Sequence, residues 1–148
     1  MKKIISLLMI LILLCGCGAS EEVQQKEETE NQPDEWGITF SVSDVTATGA
    51  TVIFTQSGGN PTGELTTGSY YRIEKDGKEL PYVTEGNIGW TSEAYMIPLE
   101  GSYKTTISWE WLYGELDPGT YRIYKGVSDW RAPGDSDDKE YSAEFVIE

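Results

Sequence analysis

Leu116-Asp117-Pro118-Gly119-Thr120-Tyr121-Arg122-Ile123 is the stretch on which the fold turns. A Pro-Gly turn feeds a run that alternates Tyr121 and Ile123 with Thr120 and Arg122, the period of a strand with one buried face. In two-sheet β-sandwiches, a tyrosine at the start of a strand at such a corner returns its hydroxyl to backbone a few residues upstream and locks the crossover between sheets. Leu116, Pro118, Gly119 and Tyr121 are therefore read as a structural corner. Just upstream, Trp109-Glu110-Trp111 is expected to be extended, with both indoles on one face and used for core and corner packing rather than ligand contact.

Working outward, the rest of the segment 36–148 reads as strands. Ile38, Phe40 and Val42 alternate with Thr39 and Ser41, and after a Thr48-Gly49 turn the run Ala50–Gln56 makes a second strand beside the first. A Gly-rich loop, Ser57–Gly63, leads to Tyr70–Lys75. The Asp76-Gly77 pair between that run and Lys78–Val83 is a hairpin signal, because both turn positions need positive φ. Further strands are expected at Asn87–Thr91, Glu93–Ile97, Lys104–Trp109, Gly119–Lys125 and Tyr141–Ile147. No stretch carries a helical period and no internal repeat is present. The composition, rich in Thr, Tyr, Trp, Ile and Val, favours strands. A chain of this length buries one sizeable core without metal or disulfide help. The prediction is all-β: a two-sheet antiparallel β-sandwich.

The amino terminus gives an address. Met1-Lys2-Lys3 is basic and Ile4–Leu14 is apolar apart from Ser6, the charged and apolar regions of a secretory signal. A membrane span needs roughly 20 apolar residues, and this run stops at Cys15. Leu14-Cys15-Gly16-Cys17 resembles a bacterial lipobox: an aliphatic residue three before the cysteine, a small residue at the cleavage point and a thiol to carry lipid. Cleavage is expected between Gly16 and Cys17, leaving residues 1–16 as signal peptide and Cys17 as the lipidated residue. Cys15 would follow the bulky Leu14. The competing reading pairs the two cysteines in a disulfide or with other molecules. Residues 17–35 carry Glu21, Glu22, Glu27, Glu28, Glu30, Asp34 and Glu35 against one Lys26, and are expected to form a disordered, self-repelling linker with an r.m.s. span of roughly 25 Å. A short helix over 21–30 would have no apolar face to dock.

The segment 36–148 resembles the bacterial immunoglobulin-like domain family found in small lipoproteins and envelope proteins of Firmicutes such as clostridia. The resemblance is carried by Gly49-Ala50-Thr51, Phe54–Gly59, Thr62–Leu65, Gly68–Tyr71 and Trp109–Gly114, together with Leu116, Pro118, Gly119 and Tyr121. It implies an immunoglobulin-like sandwich and brings no catalytic or ligand residues with it.

Composition narrows the chemistry. There are no histidines, and both cysteines lie before residue 18, so Cys-His and Ser-His-Asp catalysis and His- or Cys-ligated metal sites within the domain are excluded. A carboxylate pair of the glycosidase type is the remaining catalytic option, and the reading is that the chain is not an enzyme and needs no cofactor. Asp135, Asp137 and Asp138 are the weak calcium candidates, placed on an expected loop set up by Ala132-Pro133-Gly134. A net charge of −14 repels nucleic acid and anionic lipid head groups.

Five Trp and nine Tyr exceed what one core needs. An exposed strip drawn from Trp36, Trp90, Trp130, Tyr70, Tyr82 and Tyr103 would stack on sugar rings or a protein, with Trp90, Trp130, Tyr70 and Tyr82 as ligand contacts. The functional expectation is a lipid-anchored extracytoplasmic interaction or spacer module with an envelope-protein partner. A wall-glycan or carbohydrate-binding module is the alternative, and a carboxylate hydrolase the weakest reading.

Overall fold

The computed structural model describes residues 32–148. The signal peptide, Cys17 and most of the expected linker lie outside the described residues. In chain order the elements are β1 (Ile38–Thr46), β2 (Gly49–Gln56), β3 (Glu64–Gly68), β4 (Arg72–Lys75), β5 (Lys78–Glu79), β6 (Ala94–Met96), β7 (Gly101–Ser108), the single-turn helix α1 (Glu110–Tyr113), β8 (Gly119–Ala132) and β9 (Asp135–Ile147). They form two antiparallel sheets, as the sequence predicts. One has the order β1-β2-β7. In the other, β8 pairs with β9 along one edge, while β3 and β4 follow one another along its opposite edge, backed by β6 and β5 respectively.

Alternation fixes which side chains meet between the sheets. From β2, Ala50, Val52, Phe54 and Gln56 point inward; from β8, Tyr121, Ile123, Lys125, Val127 and Asp129 do. Phe40 stacks on Phe54 with centroids 4.5 Å apart. Phe145 lies between Trp109 at 5.2 Å and Tyr121 at 5.5 Å. Trp109 is fully buried and its indole N–H donates to the Ala47 carbonyl at 2.9 Å, which satisfies the polar edge of the largest core ring. The corner is built as read: the Tyr121 hydroxyl donates to the Asp117 carbonyl at 2.7 Å, and Leu116 is buried behind it.

The ladder between β8 and its β3/β4 neighbour is broken once. Thr67 faces Val127 and Arg72 faces Tyr124, so Gly68–Tyr71 stand opposite only Lys125 and Gly126. Four residues cannot pair rung for rung with two, which leaves carbonyls without ladder partners. Lys125 fills the gap from the inner face: its ammonium donates to the carbonyls of Gly68 at 2.8 Å and Tyr70 at 3.2 Å.

Five expectations need correction. Trp109-Glu110-Trp111 is not extended. Tyr113 N–H returns to the Trp109 carbonyl and Gly114 N–H, at φ 75°, to that of Glu110, closing one helical turn. Residues two apart on a helix are about 200° apart around its axis, so Trp109 points into the core and Trp111 out.

Asn87–Thr91 is not a strand but part of the loop between β5 and β6, and β3 forms from residues for which the sequence predicts no strand. Lys78–Val83 is a strand only over Lys78–Glu79. Asp135–Asp138 is the first part of β9 rather than a loop, with the turn confined to Pro133-Gly134.

The linker boundary also moves. Asp34 Oδ1 accepts the N–H groups of Trp36 and Ile38, both at 3.0 Å, and its Oδ2 accepts from Lys139 Nζ at 2.8 Å and Tyr141 Oη at 2.7 Å. Lys139 also pairs with Glu35 at 2.5 Å and lies 4.1 Å over the Trp36 ring. Asp34 and Glu35 therefore belong to the domain. Burial alone would raise the Asp34 pKa, but the hydrogen bonds from Lys139, Tyr141 and Ile38 outweigh it and hold the carboxyl below its ordinary value. The turn at Gly37 is pressed against Gly59: a Cβ on Gly59, whose φ is 69°, would lie 2.3 Å from the Gly37 nitrogen.

Candidate functional site: an aromatic cleft at the open side of the sandwich

The two sheets end on different sides of one opening. Among the described residues β7 is the last strand of its sheet and pairs with β2 alone; β6 is the outer strand behind β3. Tyr95 of β6 and Tyr103 of β7 stack across this opening, centroids 5.7 Å apart and ring planes at 17°. The loop between β5 and β6 then folds back over the neighbouring surface, held to α1 by Val83 N–H on the Leu112 carbonyl at 2.9 Å and by the Thr84 hydroxyl on the Trp111 carbonyl. That strap sets Trp90 between Tyr70 at 5.2 Å, Tyr71 at 5.2 Å and Trp111 at 5.6 Å, each edge-to-face.

The result is a cleft of about 360 Å³ whose walls carry the rings of Tyr71, Trp90, Tyr95, Tyr103 and Trp111. Ser69, Thr91, Thr105, Thr106 and Ser108 line it between those rings, and of the three on β7 it is Thr105 whose side chain shares the inward face with Tyr103 and Ile107. Trp111 is 46% exposed and Tyr95 37%, so ring surface is presented to solvent rather than spent on the core. A volume of roughly 300 Å³ or more with clustered rings and a few polar groups is the usual make-up of a small-ligand site. Burial pushes the Tyr71 phenol up to about 12, and its hydroxyl donates to the Ser108 carbonyl at 3.2 Å. The Tyr95 hydroxyl donates to Glu93 at 2.6 Å, and that bond raises its pKa.

Lys125 also lines the cleft while remaining 2% exposed. Burial pulls its ammonium down to about 8. The other charged group in the buried set is Asp129, two positions further along the same face of β8. It accepts from Thr62 N–H at 2.7 Å, Thr62 Oγ1 at 2.9 Å and Gly63 N–H at 2.5 Å. Burial raises the pKa of Asp129, but these bonds and Arg131 overcome that and lower it. Its role is to hold the approach to β3.

Of the four predicted ligand contacts, Trp90 lines the cleft and Tyr70 packs against it from outside that lining. Tyr82 joins the same cluster indirectly, 5.4 Å from Tyr113, which is 6.3 Å from Tyr71. Trp130 does not join it: it sits on the outward face of β8, opposite Glu64 and Ser136. Trp36 is in the core, and Tyr103 is at the cleft.

Sequence reasoning missed Trp111, Tyr95 and Lys125. The first was hidden by the helical turn. Lys125 was detectable, because extending the alternation Tyr121, Ile123 by one step places it on the buried face.

The calcium candidates are already engaged by an arginine and a serine. Arg131 pairs with Asp135 at 2.8 Å and with Asp137 at 3.0 Å, while Asp138 accepts from the Ser128 hydroxyl. Among the described residues no group of three or more carboxylates is placed to share a metal ion.

Two antiparallel sheets closed by a tyrosine corner around a buried tryptophan define the immunoglobulin-like class of β-sandwich. The comparison with protein families is specific within that class: the model of the bacterial Ig-like domain matches residues 34–146, and the chain belongs to this family. Its first matched residue is Asp34, where the structure begins to tie the chain down. No curated protein and no solved structure matches the chain. Membership of an Ig-like family points to a non-enzymatic module.

Proposed function

We propose that this chain is a lipid-anchored, extracytoplasmic binding module, non-enzymatic, that takes a glycan of the cell envelope in the cleft beside Trp90 and Trp111. The anchoring rests on the signal-like Met1–Leu14 run and the lipobox-like Leu14-Cys15-Gly16-Cys17. The observation that carries the ligand class is the mixture on the cleft walls. A sugar ring has a C–H face and a rim of hydroxyls; indole and phenol faces meet the first, and serine and threonine hydroxyls, able both to donate and to accept, meet the second. The sequence ranks an envelope-protein partner first; the aromatic lining of the cleft is what supports the glycan instead.

A protein partner keeps one specific support. Among the described residues β7 has no strand on its outer edge, and an unpaired edge is a template for strand addition.

The test is co-sedimentation of the purified chain with protein-stripped cell walls of its host. Pelleting that soluble wall glycan reverses supports the glycan reading. Protein that stays in solution sinks it and leaves the β7 edge as the place to search by cross-linking. Anchoring is checked separately: labelled palmitate should enter the wild type and not Cys17→Ala.

A further inference from the structure

We propose that the cleft is built for an acidic sugar, one carrying a carboxylate beside its ring, and that the ammonium of Lys125 is what selects it. This rests on the glycan reading above and names its ligand more narrowly. The Gly68–Tyr71 bulge leaves two carbonyls facing inward, and Lys125 Nζ gives one N–H to each, at 2.8 Å and 3.2 Å. Gly68, Ser69, Tyr71 and Lys125 all line the cleft, and the ammonium is bonded to the Gly68 carbonyl of that wall. An ammonium has three N–H donors, and two are used.

The charge is what needs explaining. Two carbonyls need two neutral donors, and a glutamine of similar length would supply them. A buried positive charge costs several kcal/mol without a counter-ion, and among the described residues no carboxylate forms an ion pair with Lys125. Its hydrogen-bond partners are the carbonyl oxygens of Gly68 and Tyr70. Lys125 is the one cation in the buried set of a strongly acidic domain. A ligand carboxylate in the cleft would take the unused donor and supply the missing charge in a site of low dielectric, where the attraction is strong.

The other titratable groups around the cleft do not compete for this role. Tyr71 and Tyr95 are phenols whose pKa is raised, Tyr103 is stacked on Tyr95, and Glu93 at the rim accepts from the Tyr95 hydroxyl. Below pH 10, Lys125 is therefore the group at the cleft whose positive charge changes.

Two disaccharides of one frame test this: the N-acetylglucosamine–N-acetylmuramic acid disaccharide, whose lactyl ether carries a carboxylate, and chitobiose, which lacks it. Each is titrated into the purified full chain and followed by tryptophan fluorescence. The acidic disaccharide should bind at least tenfold more tightly at pH 7, and the preference should shrink by pH 9.5. In Lys125→Met, with an unchanged far-UV circular dichroism spectrum, the two should bind alike.

Equal affinities in the wild type overturn the selection of an acidic sugar and leave the glycan reading standing; failure of both to bind overturns both. A preference that persists in folded Lys125→Met also overturns the role of Lys125. If that variant does not fold, the wild-type pH series decides, and a preference that is flat from pH 7 to 9.5 sinks the proposal.

Discussion

Asp34 and Tyr141 are separated by 107 positions in the chain and meet at 2.7 Å. The carboxylate that accepts this phenol also accepts Lys139 and two backbone N–H groups of its own turn, so one side chain ties the start of the domain to β9 in the other sheet. Replacing it removes four acceptor contacts at once. Asp34→Ala should destabilise the domain by about 2 to 3 kcal/mol, the usual cost of losing charge-assisted bonds, read as a lower urea midpoint at unchanged m-value. Because the folded carboxyl titrates below its ordinary value, its contribution is complete above the unfolded carboxylate's pKa, near about 4, and is lost as pH falls through the folded one. The acid limb of the wild-type stability curve should accordingly be steeper than that of Asp34→Ala.

The corner makes a smaller, cleaner prediction. Tyr121→Phe keeps the stacking on Phe145 and the Lys75 ammonium 4.9 Å from the ring centroid, and loses the hydroxyl's donation to the Asp117 carbonyl together with the bond it accepts from Lys75 Nζ at 3.3 Å. The expected loss is about 1 kcal/mol, seen as a few degrees in Tm by differential scanning calorimetry. A neutral substitution would show that the corner is shaped by Pro118 and Gly119 without the hydrogen bond.

Lys125 gives a dependence of the same sign at the alkaline end of the pH scale. Its ammonium is held down at about 8 by burial, so between that pH and the unfolded lysine value the unfolded chain binds more protons and stability rises with pH. A neutral amine still has two N–H groups, enough for both bulge carbonyls, so deprotonation removes the charge and keeps the bonds. Urea unfolding should show the wild type gaining on the order of 2 kcal/mol between pH 7 and pH 9.5. Lys125→Met should show no such gain.

The cleft and the isolated outer-face tryptophan separate in binding. Trp111→Ala removes a ring that forms a cleft wall and packs on Trp90, whereas Trp130→Ala removes one of comparable exposure elsewhere. Wall co-sedimentation should weaken at least tenfold in the first and stay unchanged in the second. Equal losses would mean that binding follows total exposed aromatic surface.

What could be read from the chain and what could not divides along physical lines. The β1–β2 hairpin was legible because Ile38, Phe40 and Val42 and then Val52 and Phe54 alternate strictly, and the corner because Pro-Gly and a following tyrosine have few other uses. The β8–β9 hairpin was under-read because Asp135–Asp138 has poor strand propensity. Its place is set by continuous pairing with β8 and by Arg131, neither visible locally. Asn87–Thr91 looked like a strand because Ile88 and Trp90 alternate, yet their partners are rings of other segments rather than a ladder. The cleft collects residues from β6, β7, α1, β8 and the strap before β6, so no spacing in the sequence announces it. Only Tyr103 and Trp90 were suspected.

The latch at Asp34 also determines how the domain would answer a pull. Tension arriving from the amino-terminal side would, without it, peel β1 from β2 one rung at a time, beginning at Ile38 opposite Gln56. With Asp34 held by Lys139 and Tyr141, the same force first meets an ion pair and a phenol anchored on β9. Load therefore passes into both sheets together, and the residues that hold the first turn also act as its strain relief.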